Sequence, residues 1–208
     1  MRKSVEETWR YLESQGDTMP RDPDGHPLVP PSMPSYDDDD PRLSFFRTRL
    51  EDDDLSGLSF PRTYFGRSLF ERVSIADTDL SGSRMCWNDF LGCDFSGADL
   101  TECDMRSSTF RRCRFAGALL RGTDLRRSYF EDCDFAGADL TGALVEEEDA
   151  NGCVQDYLSS EQCDVVAWQS DGGPEPPVDE RLARTSRSSG RGGHNGFPRV
   201  TAFPAAAL

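Results

Sequence analysis

Gly92-Cys-Asp-Phe-Ser-Gly-Ala-Asp-Leu-Thr101 returns twenty residues later as Arg112-Cys-Arg-Phe-Ala-Gly-Ala-Leu-Leu-Arg121, and again as Asp132-Cys-Asp-Phe-Ala-Gly-Ala-Asp-Leu-Thr141. Each decapeptide holds two large apolar residues five apart, and that spacing extends well beyond them. Every fifth residue from Phe45 to Val145 is apolar, 21 positions without exception. The chain is 36% apolar, so composition alone would fill about seven or eight of them. A period of five is neither the 3.6 of a helix nor the 2 of a strand. It demands a backbone that turns a corner every five residues and sends one large side chain inward from each edge.

Four fives make the twenty-residue period, so like residues stack in columns. One column reads Phe70, Phe90, Phe110, Phe130; a second Phe95, Phe115, Phe135; a third Leu80, Leu100, Leu120, Leu140. The fourth is mixed: Phe45, Phe65, Met85, Met105, Leu125, Val145. Two residues before each centre stands a small side chain, such as Ala98, Ala118, Ser108, Ser128, Cys93, Cys113 or Cys133. One large and one small residue per edge would fill a narrow square prism without voids.

Cys-Asp-Phe-Ser-Gly-Ala-Asp-Leu-Thr and its later copy resemble the pentapeptide-repeat proteins, whose unit is Ala-Asp/Asn-Leu-X-X. The resemblance covers about half the chain and implies an all-β fold, a right-handed quadrilateral parallel β-helix. About five coils at roughly 4.8 Å each would make a rod of about 24 Å. Asp53, Leu58 and Thr63 stand where a small residue is expected, so the first coil should be less regular. Glycine recurs two after the centre, as at Gly97 and Gly117, where a corner needs positive φ. Corners carrying Arg62, Arg72 or Arg112 there should use another turn geometry.

The flanks differ from the repeat. The net charge of −15 divides into −5 over 1–44, −4 over 45–145 and −6 over 146–208. Residues 1–15 read as a short amphipathic helix, with Ser4 and Glu7 at capping-box spacing and Val5, Trp9 and Leu12 on one stripe. Its simplest role is a terminal cap. Residues 16–42 are rich in Pro and Asp, including Asp37 to Asp40, and read as a linker. The repeat fills 43–148. Both ends of such a rod need covers, and 149–170 supplies one, with a helix expected over about 160–168. Residues 171–208 have the composition of a disordered tail.

Lys3 is the one lysine beside 22 arginines, a skew expected of a GC-rich bacterial genome. Seven cysteines without a signal-like apolar N-terminus point to a reducing, cytoplasmic setting. No run of 18 apolar residues is present to span a membrane.

Catalysis needs a proton shuttle or an activated nucleophile. His26 and His194, the two histidines, both lie in the flanks, and the repeat has neither His nor Lys. The expectation is a protein that is not an enzyme and holds no cofactor or metal. Cys93, Cys113 and Cys133 form an inward column at strand spacing and read as small apolar filler. The surface is more informative. Asp94 and Asp134 share one outward column, and Asp79, Asp99 and Asp139 another. The opposite corner carries Arg67, Arg106, Arg126 and Arg127, with Trp87 in the same column. These ten residues form the expected partner surface, because an electrically two-sided rod suits a protein partner that reads opposed faces. Direct binding of nucleic acid is disfavoured by the net charge. The resemblance implies an alternative, since some family members imitate duplex DNA, bind DNA gyrase and confer quinolone resistance.

Overall fold

The computed structural model describes residues 1–34, 42–146 and 163–166. From residue 44 the backbone coils as a four-sided parallel β-solenoid with a register of twenty residues. One face is a five-stranded parallel sheet of β2 (Arg49–Glu51), β4 (Leu69–Glu71), β5 (Asp89–Leu91), β6 (Thr109–Arg111) and β7 (Tyr129–Glu131). Leu50, Phe70, Phe90, Phe110 and Phe130 stand in register across it. β1 (Ser44–Phe46) pairs with β3 (Tyr64–Gly66), and single bridges such as Asp79↔Asp99 and Asp94↔Arg114 carry the register around the other faces. The first coil is as regular as the later ones, since Ser44↔Tyr64 and Asp54↔Ser74 keep the same offset. Backbone hydrogen bonds set that offset, and Leu58 and Thr63 are accommodated within it, both buried.

The interior is a stack of rings and branched chains. Phe70, Phe90, Phe110 and Phe130 stack at 4.8–4.9 Å, and Phe95, Phe115 and Phe135 at 4.7–4.9 Å. Neighbouring columns meet edge to face, as Phe110 does with Phe115 at 5.5 Å. The small-residue columns also hydrogen-bond. Ser68 Oγ, Asn88 Nδ2, Ser108 Oγ and Ser128 Oγ donate to the carbonyls of Phe45, Phe65, Met85 and Met105. The same side chains accept from the backbone N–H one coil below, so this buried polar ladder is satisfied on both sides. Cys93, Cys113 and Cys133 are buried, and their thiols lie 3.4 Å from the carbonyl oxygens of Phe70, Phe90 and Phe110. Cys133 and Cys93 on either side of Cys113, together with burial, push its thiol up.

Every corner from residue 47 to residue 142 uses a left-handed residue. Twelve of them are not glycine, and Arg62, Arg72 and Arg112 have φ of 54°, 55° and 53°. The expected alternative geometry at those arginines is therefore corrected. Left-handed backbone costs an L-residue roughly 1–2 kcal/mol. The coil imposes it because each corner N–H must meet a carbonyl in the next rung, as Arg62 meets Ser81 and Arg112 meets Glu131.

Helix α1 (Val5–Ser14) has the expected capping box and buries Trp9 and Leu12 in the same cluster as the rod's interior. It closes the first rung. On inner rungs the N–H of Asp79 or Asp99 donates to the carbonyl of the rung before, whereas Ser59 N–H donates to Thr8 Oγ1 of the helix. Residues 16–34, expected as part of a linker, lie against the rod. Met19 and Pro20 are buried, and Trp9 Nε1 donates to Pro20 O. The side chains of Arg62 and Arg84 donate to Pro30 O and Pro34 O. A proline-rich strand lacks N–H donors but keeps its carbonyls, and arginines along the rod can bind those.

The expected C-terminal helix is also corrected at its centre. Cys163–Val166 form strand β9, parallel to β8 (Ala143–Glu146). Val165 lies twenty residues after Val145 and pairs with it. Two β-branched valines at rung spacing favour strand over helix. The remainder of 149–170 and the expected tail lie outside the described residues, as does the Asp37 to Asp40 run.

Candidate binding surface

In an outward column each aspartate first serves its own turn. The Oδ1 atoms of Asp79, Asp94 and Asp99 accept from the N–H groups of Ser81, Ser96 and Thr101, at 2.9–3.1 Å. Asp134 and Asp139 do the same for Ala136 and Thr141. The signal was present in Asp-Leu-Thr and Asp-Phe-Ser, because a short carboxylate that caps the N–H two residues on is an Asx turn. Thr141 and Arg121 hold Asp139 down to about 2, the Arg121 contact being 2.5 Å. Arg2, reaching up from the N-terminus, crosses the corner between the two aspartate columns. It donates to the carbonyls of Asp77 and Gly97 and lies 3.8 Å from Asp99.

The arginine corner resolves into two layers. Arg106 and Arg126 are half-buried in an interleaved ion-pair chain that the sequence reading missed. Asp104 sits between Arg84 and Arg106, both at 2.9 Å, and Asp124 between Arg106 at 3.5 Å and Arg126 at 2.7 Å. Burial pushes the Asp104 carboxyl up, but hydrogen bonds from Arg106 and Cys86 and the charges of Arg106 and Arg84 outweigh it and hold it low. Outside this chain Arg47, Arg67, Trp87 and Arg127 stand exposed in one corner column. Trp87 is 36% exposed and Tyr129, on the adjoining face, 40%. Tyr129 was not expected. Its signal was an aromatic in an outward position, and the Arg111 guanidinium lies over its ring at 5.8 Å.

The twenty-residue register divides the rod into four sides. The side made of 44–48, 64–68, 84–88, 104–108 and 124–128 holds six arginines and two aspartates, net +4. The sides that follow it in chain order carry −3, −3 and −2. Asp94 and Asp134 lie on the side opposite the basic one, and Asp79, Asp99 and Asp139 on the side next round. The expected site residues are thus spread around the rod rather than gathered in one place. Among the described residues one cluster has the composition of a metal site, Asp22, Asp24 and His26. Asp22 Oδ1 there caps the N–H groups of Asp24 and His26 in an exposed turn.

Eight copies of the pentapeptide-repeat family model match this chain, over 68–106, 86–117 and 108–145. Residues 68–145 thus carry the repeats of the pentapeptide-repeat family. Solved structures of the same family resemble it. HetL from the cyanobacterium Nostoc sp. strain PCC 7120, involved in regulating heterocyst differentiation, is 16% identical over 50% of this chain and 46% of HetL, with a TM-score of 0.49. Rfr23 from the cyanobacterium Cyanothece 51142 is 13% identical over 46% of this chain and 82% of its own, at 0.40. QnrB1, a plasmid-mediated fluoroquinolone resistance protein, is 16% identical over 50% and 74%, at 0.21. The aligned part spans less than half of HetL. With identities and TM-scores this low, these likenesses transfer no function. No curated protein matches the sequence. Among the described residues no helix is long and apolar enough to cross a membrane.

Proposed function

We propose that this protein is a non-catalytic binding module whose rigid rod docks a protein partner through its charged sides. The observation that carries the reading is the charge asymmetry: over the rungs from 44 to 128 one side of the rod is net +4, while the other three sides, taken through 143, are negative. Arg67 and Arg127 hold charge at the outer edge of that side, where it can steer an oppositely charged partner. Arg106 and Arg126, tied to Asp104 and Asp124, serve as the base on which the outer layer stands.

The test compares proteins cross-linked to the full chain with those cross-linked to R67E/R127E and to D94N/D134N. Under this reading the first variant loses partners retained by the second. Equal capture by both overturns it. The alternative, a DNA mimic acting on gyrase, calls for negative potential all round the rod, and the basic side counts against it. Gyrase supercoiling should accordingly proceed unchanged with the purified protein present.

A further inference from the structure

We propose that the corner between the two aspartate columns is a seat for arginine, filled in its first rungs by the chain's own N-terminus and open beyond them to an arginine of a partner polypeptide. The seat lies between acidic sides, so it stands or falls independently of the basic one. It starts from backbone carbonyls. At each rung the residue before the corner gives its carbonyl to the ladder, as Ala76 does to Gly57 N–H and Ser96 to Asp77 N–H. Along the corner through Gly57, Asp77, Gly97, Gly117 and Gly137, the corner residues' own carbonyls take no part in that ladder, and residues 2 and 3 use the first three. Lys3 N–H donates to Gly57 O at 2.7 Å. The Arg2 guanidinium bridges two rungs, with Nε on Asp77 O at 2.6 Å and Nη2 on Gly97 O at 3.3 Å. The Asp99 carboxylate, two residues past Gly97, lies 3.8 Å from Arg2 Nη1.

The coil repeats every twenty residues, so two rungs further on the same frame recurs. Gly117 and Gly137 have φ of 66° and 70°, against 56° and 66° at Asp77 and Gly97, and the register sets their carbonyls about 4.8 Å apart. Asp139 stands two residues past Gly137 as Asp99 stands past Gly97. Neither carbonyl accepts a hydrogen bond among the described residues. Both glycines are exposed. A Cβ added to Gly117 would meet nothing within 4 Å, and one added to Gly137 only the Gly117 nitrogen at 4.0 Å. Asp139 differs from Asp99 in one respect, since Arg121 Nε already donates to it at 2.5 Å. The carbonyl pair therefore carries the seat, and Asp139 adds charge. The two sides that meet at this corner are net −3 and −2, which draws a cation and turns away a phosphate backbone. A guanidinium suits two acceptors one rung apart because its N–H groups diverge in a plane, whereas an ammonium is a compact point charge.

The experiment titrates the isotope-labelled full chain with the peptide acetyl-Gly-Arg-Gly-amide and with its lysine counterpart, and reads backbone amide shifts by NMR. The amides of Ala118 and Ala138 share peptide planes with the two open carbonyls. They should move saturably with the arginine peptide, and less with the lysine peptide at equal concentration. Gly137→Arg puts a cation into the seat and should abolish the Ala118 response. The coil already carries an arginine at a left-handed corner, Arg112, so the substitution is compatible with the fold. Gly122→Arg makes the same change of charge and backbone at the next corner, where φ is 63°, and should leave the Ala118 response intact. Arg2→Ala vacates the first seat, so the arginine peptide should then also move the amides of Thr78 and Ala98, which follow Asp77 and Gly97. Unmoved amides at Ala118 and Ala138, or an equal response to both peptides, overturns the proposal. Equal loss in Gly122→Arg does the same by reducing the effect to net charge. A first seat that stays silent in Arg2→Ala overturns it as well, because the two seats would then not be equivalent.

Discussion

The first rungs and the middle rungs share one register but solve different packing problems. In the middle, each small position faces another rung on both sides, and the residues there are Ala98, Ala118, Cys93, Cys113, Ser108 and Ser128, all buried. In the first rungs the column of Ala98 and Ala118 begins with Leu58, and the column of Cys103 and Thr123 begins with Leu43, both equally buried but far larger. Nothing of the repeat stacks beyond them, and Trp9, Leu12 and Met19 join them in one cluster instead. The difference teaches that a departure from the repeat is not a defect of the coil. It marks where the coil ends and where the N-terminal segment docks.

Cutting a stacked ring from the middle should have the largest effect. Phe115→Ala is expected to lose about 3–5 kcal/mol, read as a fall in melting temperature, because Phe115 stacks on Phe95 and Phe135. A small loss would mean that the middle rungs can collapse into the void. The contrast between small columns predicts the next effect. Ala118→Leu should destabilise by about 1–3 kcal/mol through overpacking, although leucine is what the first member of that column already carries at Leu58. If Ala118→Leu is neutral, the end rung is not special. Thr8→Val tests the cap at similar scale. It leaves Ser59 N–H buried without its acceptor, which should cost about 1–3 kcal/mol and speed amide exchange at Ser59 ahead of that at Asp99.

A smaller effect of opposite sign is expected at the corners. Glu102 has φ 56° and is exposed, so Glu102→Gly should raise stability by about 0.5–1 kcal/mol, the left-handed penalty less the entropy of glycine. A lower melting temperature would show that the left-handed state carries little strain in this coil. The smallest effect is acid sensitivity. Asp54, Asp104 and Asp139 are all held below the ordinary carboxylate value when folded. Their stabilisation is complete above that ordinary value and is lost as pH falls through the folded one, about 2 for Asp139. Melting temperature should therefore decline from about pH 4 towards pH 2, and D104N should blunt the decline. Asp54 and Asp139 are well solvated, so most of the slope should belong to Asp104.

The surface was less legible than the core, for a reason visible at Arg106. The series placed Arg106, Arg126 and Arg127 near one corner, and all three are there. It could not say that Arg106 and Arg126 fold back onto Asp104 and Asp124 while the Arg127 backbone turns left-handed and exposed. Side chains at adjacent outward positions choose among several partners across rungs, and spacing does not rank those choices. Tyr129 escaped notice because outward positions tolerate almost any residue.

By itself the sequence determined the coil: a five-residue apolar series closes only if the backbone bends at each interval, and a twenty-residue repeat stacks only as four sides. It also determined which residues are inside, because the large and small positions alternate along every edge. Tertiary structure alone decided the left-handed geometry at Arg62, Arg72 and Arg112, the docking of 16–34 on the rod and the strand at Cys163–Val166. In each case the outcome was decided by a hydrogen-bonding partner or a vacant edge that lies far away in the chain and close by in the coil.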